Sequence, residues 1–190
     1  KNNYKINSGI EYLIYFTFRD LHLSITQRDI TPYETFIHKI KEIIAATIYK
    51  TRLIRNFDES VLIGEYLSER AQDNGFYFFK YLCEKHPEIK CHYVIKKNSP
   101  DIKNLAKYSK KLVYYFSFKH LLLLLSCKAI ISSQGREHLY LFKPKKGIFK
   151  NAILKKPFIF LQHGVIGFKK IGGFRKGGIN TAKYIVASNK

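Results

Sequence analysis

The stretch Phe158–Gly173, FIFLQHGVIGFKKIGG, sets a histidine and a group of cations directly behind an apolar run. Four apolar residues lead into Gln162, His163 and Gly164, and Lys169 and Lys170 follow shortly after. An imidazole with an ordinary pKa near ~6.5 can accept a proton at neutral pH. A glycine beside it lets a ligand approach the backbone closely. The lysines, with Arg175 and Lys176 further on, can hold phosphate oxygens, and backbone N–H groups at a helix start can do the same. The chemistry open to this group is proton abstraction beside a bound phosphate. The plainer alternative is a structural histidine at a strand end. His22, His38, His86, His92, His120 and His138 have no metal-ligand spacing, and no metal site is expected.

The elements that would position these residues begin near Glu59. SVLIGEY (60–66), CHYVIKK (91–97), KLVYYFS (111–117), KAIISS (128–133), KPFIFLQHG (156–164) and AKYIVASN (182–189) read as strands. Between the first four lie three helical stretches: DNGFYFFKYLCEKHP, capped by Asp73 or Asn74 and stopped by Pro87; SPDIKNLAKYSK, opening at Ser99-Pro100; and FKHLLLLLSC. A basic loop is expected between KAIISS and KPFIFLQHG. The strands are nearly continuous apolar runs, as expected when both faces are covered. Strands alternating with helices predict a doubly wound parallel α/β sheet. Ligands bind such sheets beyond the carboxyl ends of the strands. Three polar segments fall there: Ser68–Gly75, Ser132–His138 and Gln162-His163-Gly164.

Residues 1–57 read as a separate extension. GIEYLIYFTF (9–18) is β-prone. The stretch from Thr31 to Phe57 has helical periodicity, with Tyr33, Phe36, Ile37, Ile40, Ile43, Ile44, Thr47 and Ile48 opposite Lys39, Lys41, Glu42, Lys50 and Arg52. This basic amphipathic helix either packs on the following domain or lies on an anionic membrane surface.

The chain has 34 Lys+Arg against 14 Asp+Glu, a formal charge of +20, which calls for a polyanionic partner: nucleic acid, anionic lipid or a phosphate-rich substrate. A generally lysine-rich surface accounts for part of it. Cys83, Cys91 and Cys127 form no CxxC pair and are expected as small core residues in a reducing compartment. No signal peptide is visible. LLLLLSCKAII (121–131) is shorter than the roughly 20 apolar residues a bilayer span needs. It reads as the end of a buried helix followed by a buried strand. The sequence has no Met and stops just after an expected strand, so it is read as a piece of a longer protein.

The order ESVLIGEYLSERAQDNGFYFFKYLCEKHPEIKCHYVIKK, KAIISSQG, FLQHGVIGFKKI and YIVASNK resembles the CDP-glycerol glycerophosphotransferase family, which builds teichoic acids, capsules and related phosphopolymers. The resemblance covers about residues 58–190. It implies a GT-B transferase in which 58–190 forms the Rossmann-like acceptor-side domain, with the donor-binding domain beyond Lys190. It implies transfer of an alditol phosphate from CDP-glycerol or CDP-ribitol to a lipid-linked phosphopolymer, without a cofactor. It also implies a peripheral location at the cytoplasmic face of a bacterial membrane. His163 matches the family's proposed base, and Lys169 and Lys170 would neutralise phosphate charge. Strand-end position and resemblance together add Asn74, Ser132, Ser133, Gln162 and Gly164 as substrate-binding candidates. Two departures concern donor and acceptor identity. The family loop often reads HGT-P where this chain has His163-Gly164-Val165-Ile166, and Asp73-Asn74 is followed here by Gly75.

Other readings are a GT-B glycosyltransferase using a nucleotide sugar, a degenerate membrane-associated scaffold and a basic nucleic-acid-binding protein. Against the last, no helix-turn-helix, zinc-finger or RNP-like signature is present, and nucleic acid is not an expected partner.

Overall fold

The computed structural model describes residues 3–7, 10–16, 23–29, 35–51, 59–140, 148–162 and 182–186. Two compact units are found, Lys1–Lys41 and Glu42–Lys190. The first contains an antiparallel meander of β1 (Asn3–Asn7), β2 (Ile10–Phe16) and β3 (Leu23–Asp29). Of these, only β2 coincides with an expected β-prone run. β1 and β3 are rich in Asn, Ser, Gln and charge, and carry too few apolar residues to signal strands. Helix α1 (Phe36–Lys50) begins in this unit, and its residues from Glu42 onward belong to the second.

The second unit is built on a six-stranded parallel sheet in the order β6-β5-β4-β7-β8-β9. The strands are β4 (Val61–Gly64), β5 (Cys91–Ile95), β6 (Leu112–Tyr114), β7 (Ala129–Ser132), β8 (Phe158–Leu161) and β9 (Tyr184–Val186). Each lies inside its expected run. The chain winds outward from β4 through β5 to β6, then returns to pair β7 on the other side of β4. The order therefore reverses between β4 and β7.

Neighbouring residues on one strand feed opposite cores, which is why the strands are apolar throughout. Leu62, Val94 and Ile130 join one cluster with α3 (Phe118–Ser126) and α4 (Ile148–Lys155). Ile63, Tyr93, Ile95 and Ile131 join the other with Phe79 and Leu82 of α2 (Asn74–Lys85) and with Leu105. Alternation at period two places each set on its own face of the sheet. All five leucines 121–125 are buried, as expected for a helix end running into a buried strand.

Local chemistry sets the helix ends. Asp73 caps α2, its Oδ1 accepting from Asn74 N at 2.8 Å, and the helix stops at His86, which precedes a proline that disfavours helical backbone. Ser117 caps α3, its Oγ accepting from His120 N at 3.2 Å. Ser99 caps the next expected helix, but Pro100–Lys111 is 3-10 rather than α, with a kink at Tyr108. The expected basic loop contains α4, which sends Phe149 and Ile153 into the core.

Helix α1 docks differently from its periodicity. Ala45 and Ala46 enter the core and Ile48 packs against it, whereas Ile43 and Ile44 remain 59% and 47% exposed. The small alanines allow close approach, and the larger isoleucines stay outside. Glu42 accepts a hydrogen bond from the Tyr140 hydroxyl. The three cysteines are free thiols, Cys91 and Cys127 buried and Cys83 half-buried. Among the described residues, no helix is long and apolar enough to cross a membrane.

Candidate functional site

At the carboxyl ends of β4 and β7, where the strand order reverses, lies a cleft of about 500 Å³ lined by Glu65, Tyr66, Arg70, Gln72, Asp73 and Gln134. Reversal points of this kind open a crevice because consecutive connections leave to opposite faces of the sheet. Two of the three polar segments expected from the sequence, after β4 and after β7, form its walls.

Glu65 organises the β4 side. Its side chain is buried, and its carboxylate receives three backbone N–H groups: Phe76 N at 2.6 Å and Asp73 N at 3.1 Å on Oε1, and Gln72 N at 3.2 Å on Oε2. These groups surround the amino end of α2, where unsatisfied N–H groups and the helix dipole favour an anion. The protein's own carboxylate fills that place. Burial pushes the Glu65 pKa up, and the three N–H donors partly offset the rise. Gly75 makes the fit possible, because a Cβ there would stand 2.9 Å from Glu65 Cγ and 3.1 Å from Oε1.

The turn Tyr66–Ser68 continues the wall. Leu67 and Ser68 both adopt left-handed backbone, with φ of 48° and 54°. This costs non-glycine residues on the order of 1 kcal/mol or more each. Contacts to the β7 loop hold it: Leu67 N donates to His138 Nδ1 at 3.1 Å, and Ser68 Oγ donates to the His138 carbonyl at 3.1 Å. The Tyr66 ring lies against the His138 ring, with centroids 5.1 Å apart. Burial lowers the His138 pKa, in keeping with a neutral ring accepting at Nδ1. Lys96 N donates to the Ser68 carbonyl at 2.6 Å.

On the β7 side, Arg136 is buried and its Nη1 donates to the carbonyls of Ile153 at 3.1 Å and Leu154 at 2.8 Å, at the carboxyl end of α4. Its guanidinium also stands 5.0 Å over the Phe158 ring, and burial lowers its pKa. Arg136 thus fixes the loop that carries Gln134.

The sequence-expected residues divide into three groups. Asn74 opens α2, and its Nδ2 donates to the Gln162 carbonyl at 2.6 Å, bringing these two together. Gln162 N in turn donates to the Val186 carbonyl at 2.9 Å. Ser132 and Ser133 are buried at the end of β7. Ser132 Oγ accepts from Gln134 N at 3.0 Å, which turns the chain, whereas Ser133 Oγ has no hydrogen-bond partner among the described residues. His163, Gly164, Lys169, Lys170, Arg175 and Lys176 lie outside the described residues. Reasoning from sequence named the Ser68–Gly75 and Ser132–His138 segments but missed Glu65, Arg70, Gln72 and Gln134 as individual cleft residues. The available signal was position alone, each lying just beyond an apolar strand. Among the described residues, no cluster of three or more His, Cys, Asp or Glu could hold a metal ion.

The chain is 34% identical over 99 residues to the minor teichoic acid biosynthesis protein GgaB of Bacillus subtilis (strain 168). That match covers 51% of this chain and 11% of the length of GgaB. No solved structure matches. The profile of the family described as CDP-glycerol:poly(glycerophosphate) glycerophosphotransferase matches residues 47–185, which include β4 to β8, the first two residues of β9 and the cleft between β4 and β7. The chain belongs to the CDP-glycerol:poly(glycerophosphate) glycerophosphotransferase family.

Proposed function

We propose that this chain is the acceptor-side part of a transferase that moves an alditol phosphate from CDP-glycerol or CDP-ribitol to a growing phosphopolymer. The observation that carries the reading is family membership across β4 to β8 and into β9, with a polar cleft at the reversal point of the sheet. In the proposed reaction an acceptor hydroxyl oxygen bonds to the β-phosphorus of the donor. The bond from that phosphorus to the bridging oxygen breaks, and CMP leaves with the oxygen. His163 takes the hydroxyl proton, and Lys169 and Lys170 offset charge on the phosphoryl oxygens. Asn74 and Gln162 tie α2 to the strand end just before His163, and this supports their role in positioning it. Ser133, whose buried hydroxyl has no partner among the described residues, would receive a substrate group that reaches the end of β7.

Donor binding would fall to a second Rossmann-like domain in a GT-B arrangement. The acceptor would be lipid-linked, at the cytoplasmic membrane face of a bacterium. The +20 charge and the exposed Ile43 and Ile44 support a peripheral attachment there.

The test is CMP release by the full-length protein, supplied with CDP-glycerol or CDP-ribitol in parallel and a lipid-linked phosphopolymer. Release with one donor is expected, and it should vanish in a folded His163→Ala variant. Release with neither donor from folded protein overturns the reading.

A further inference from the structure

We infer that the cleft between β4 and β7 is the acceptor subsite, taking one polyol-phosphate unit with Arg70 against its phosphate; this rests on the transferase reading above. The position is that of a ligand crevice in a doubly wound sheet. What it takes follows from the state of its charged groups.

Arg70 is exposed and its carbonyl accepts from the Tyr93 hydroxyl at 2.8 Å, but its guanidinium makes no hydrogen bond or ion pair among the described residues, although Glu65 and Asp73 line the same cleft. Both carboxylates are engaged elsewhere. Glu65 is held by the N–H groups of Gln72, Asp73 and Phe76, and Asp73 Oδ1 by Asn74 N. Lys96, whose N–H holds the cleft wall at Ser68, is matched with Glu69 at 2.6 Å. Arg70 therefore stands as a guanidinium ready for an outside anion, and its planar fork suits the paired oxygens of a phosphate. Around it, Gln72 and Gln134 bring amides that can both donate and accept, and Asp73 retains carboxylate lone pairs for hydroxyl donors. One cation among hydroxyl-binding groups fits a polyol monophosphate unit.

Glu65 decides against the donor's diphosphate. At a strand-order reversal, a helix amino end usually offers its N–H groups to a pyrophosphate. Here Glu65 occupies those groups at α2, and a diphosphate placed there would meet a buried carboxylate in its path. The cleft keeps a place for a single phosphate at Arg70 and closes the place for two.

The experiment measures CMP release by the full-length protein while varying, separately, CDP-glycerol and a synthetic glycerol-phosphate oligomer with a free terminal hydroxyl. Arg70→Ala should raise the acceptor KM about 10- to 100-fold, as expected for a lost hydrogen bond to a charged group, with the donor KM unchanged. Arg70→Lys should recover part of the loss and Gln134→Ala should raise the acceptor KM several-fold. Arg70 is exposed, and a melting curve confirms that the variants fold. An unchanged acceptor KM in Arg70→Ala, or a rise in the donor KM instead, overturns the assignment. A calorimetric titration of the same oligomer needs no turnover. Weaker binding to Arg70→Ala sustains the subsite even if wild-type protein releases no CMP, an outcome that refutes the transferase reading alone. Equal binding by the two proteins overturns the subsite.

Discussion

The side-chain amide of Asn74 donates to the carbonyl oxygen of Gln162 at 2.6 Å, joining the start of α2 to the end of β8 across 88 positions of sequence. Gln162 precedes His163, so this bond fixes the chain immediately before the proposed base. Asn74→Ala should cost only about 1 kcal/mol of stability, the usual worth of one hydrogen bond, because Asn74 is exposed. Its effect on turnover should be larger, about 10- to 100-fold, since small misplacements of reacting groups carry that penalty. Parallel measurement of kcat and melting temperature checks this. A kcat matching wild type would remove Asn74 from the site.

Glu65 and Gly75 form one packing unit. In Glu65→Ala, the N–H groups of Gln72 and Asp73 lose this acceptor and Phe76 N keeps only the Asp73 carbonyl, with an expected loss of about 2 kcal/mol or more, whereas Glu65→Gln keeps one oxygen and should lose less. Gly75→Ala should cost about 1–3 kcal/mol, because the new Cβ lies within 2.9 Å of Glu65 Cγ and forces the carboxylate aside. Urea midpoints of the three variants give the order directly. A neutral Glu65→Ala would contradict the role assigned to the carboxylate.

Arg136 binds the carboxyl end of α4 to the β7 loop through two carbonyls and the Phe158 ring. Arg136→Met preserves much of the volume but removes both hydrogen bonds, so a loss of about 2–3 kcal/mol is expected. Denaturant unfolding measures it, and hydrogen exchange should locate the loosening at the last turn of α4.

His92 confers a pH dependence. Burial, reinforced by Lys119 and Lys111, lowers its pKa to about 4 from an ordinary 6.5. Between those values the unfolded chain binds a proton that the folded chain refuses. The stability tied to a neutral His92 is therefore whole above pH ~6.5 and is lost as pH falls toward ~4. Allowing for partial solvent screening, the loss is on the order of 2 kcal/mol. Unfolding curves at about pH 7 and about pH 5 should show a smaller acid-induced drop in His92→Gln than in wild type. Equal drops would show that His92 is protonated in the folded state.

The parallel sheet was legible because its inner strands must satisfy two cores. That demand wrote uninterrupted apolar runs such as VLIG and AIIS into the chain. The cleft was legible only as strand-end segments. Glu65, Arg70 and Gln134 follow no periodicity, and whether a polar loop residue is buried, paired or unpaired depends on partners far away in sequence. Glu65 in particular reads as an ordinary surface acid until α2 folds back over it. The isoleucine stripe of α1 misled for a related reason. Its period is helical, but Ala45 and Ala46 make the core contact that Ile43 and Ile44 do not.

The turn at Leu67 and Ser68 is left-handed without glycine and is held by His138, 71 and 70 positions further along. Alone, the segment has no reason to keep that shape. During synthesis, one wall of the cleft must wait until the polypeptide has emerged past His138 and β7 has docked beside β4. The pocket is then a late product of folding, and agents that trap partly synthesised chains should find the β4 strand formed before its binding surface exists.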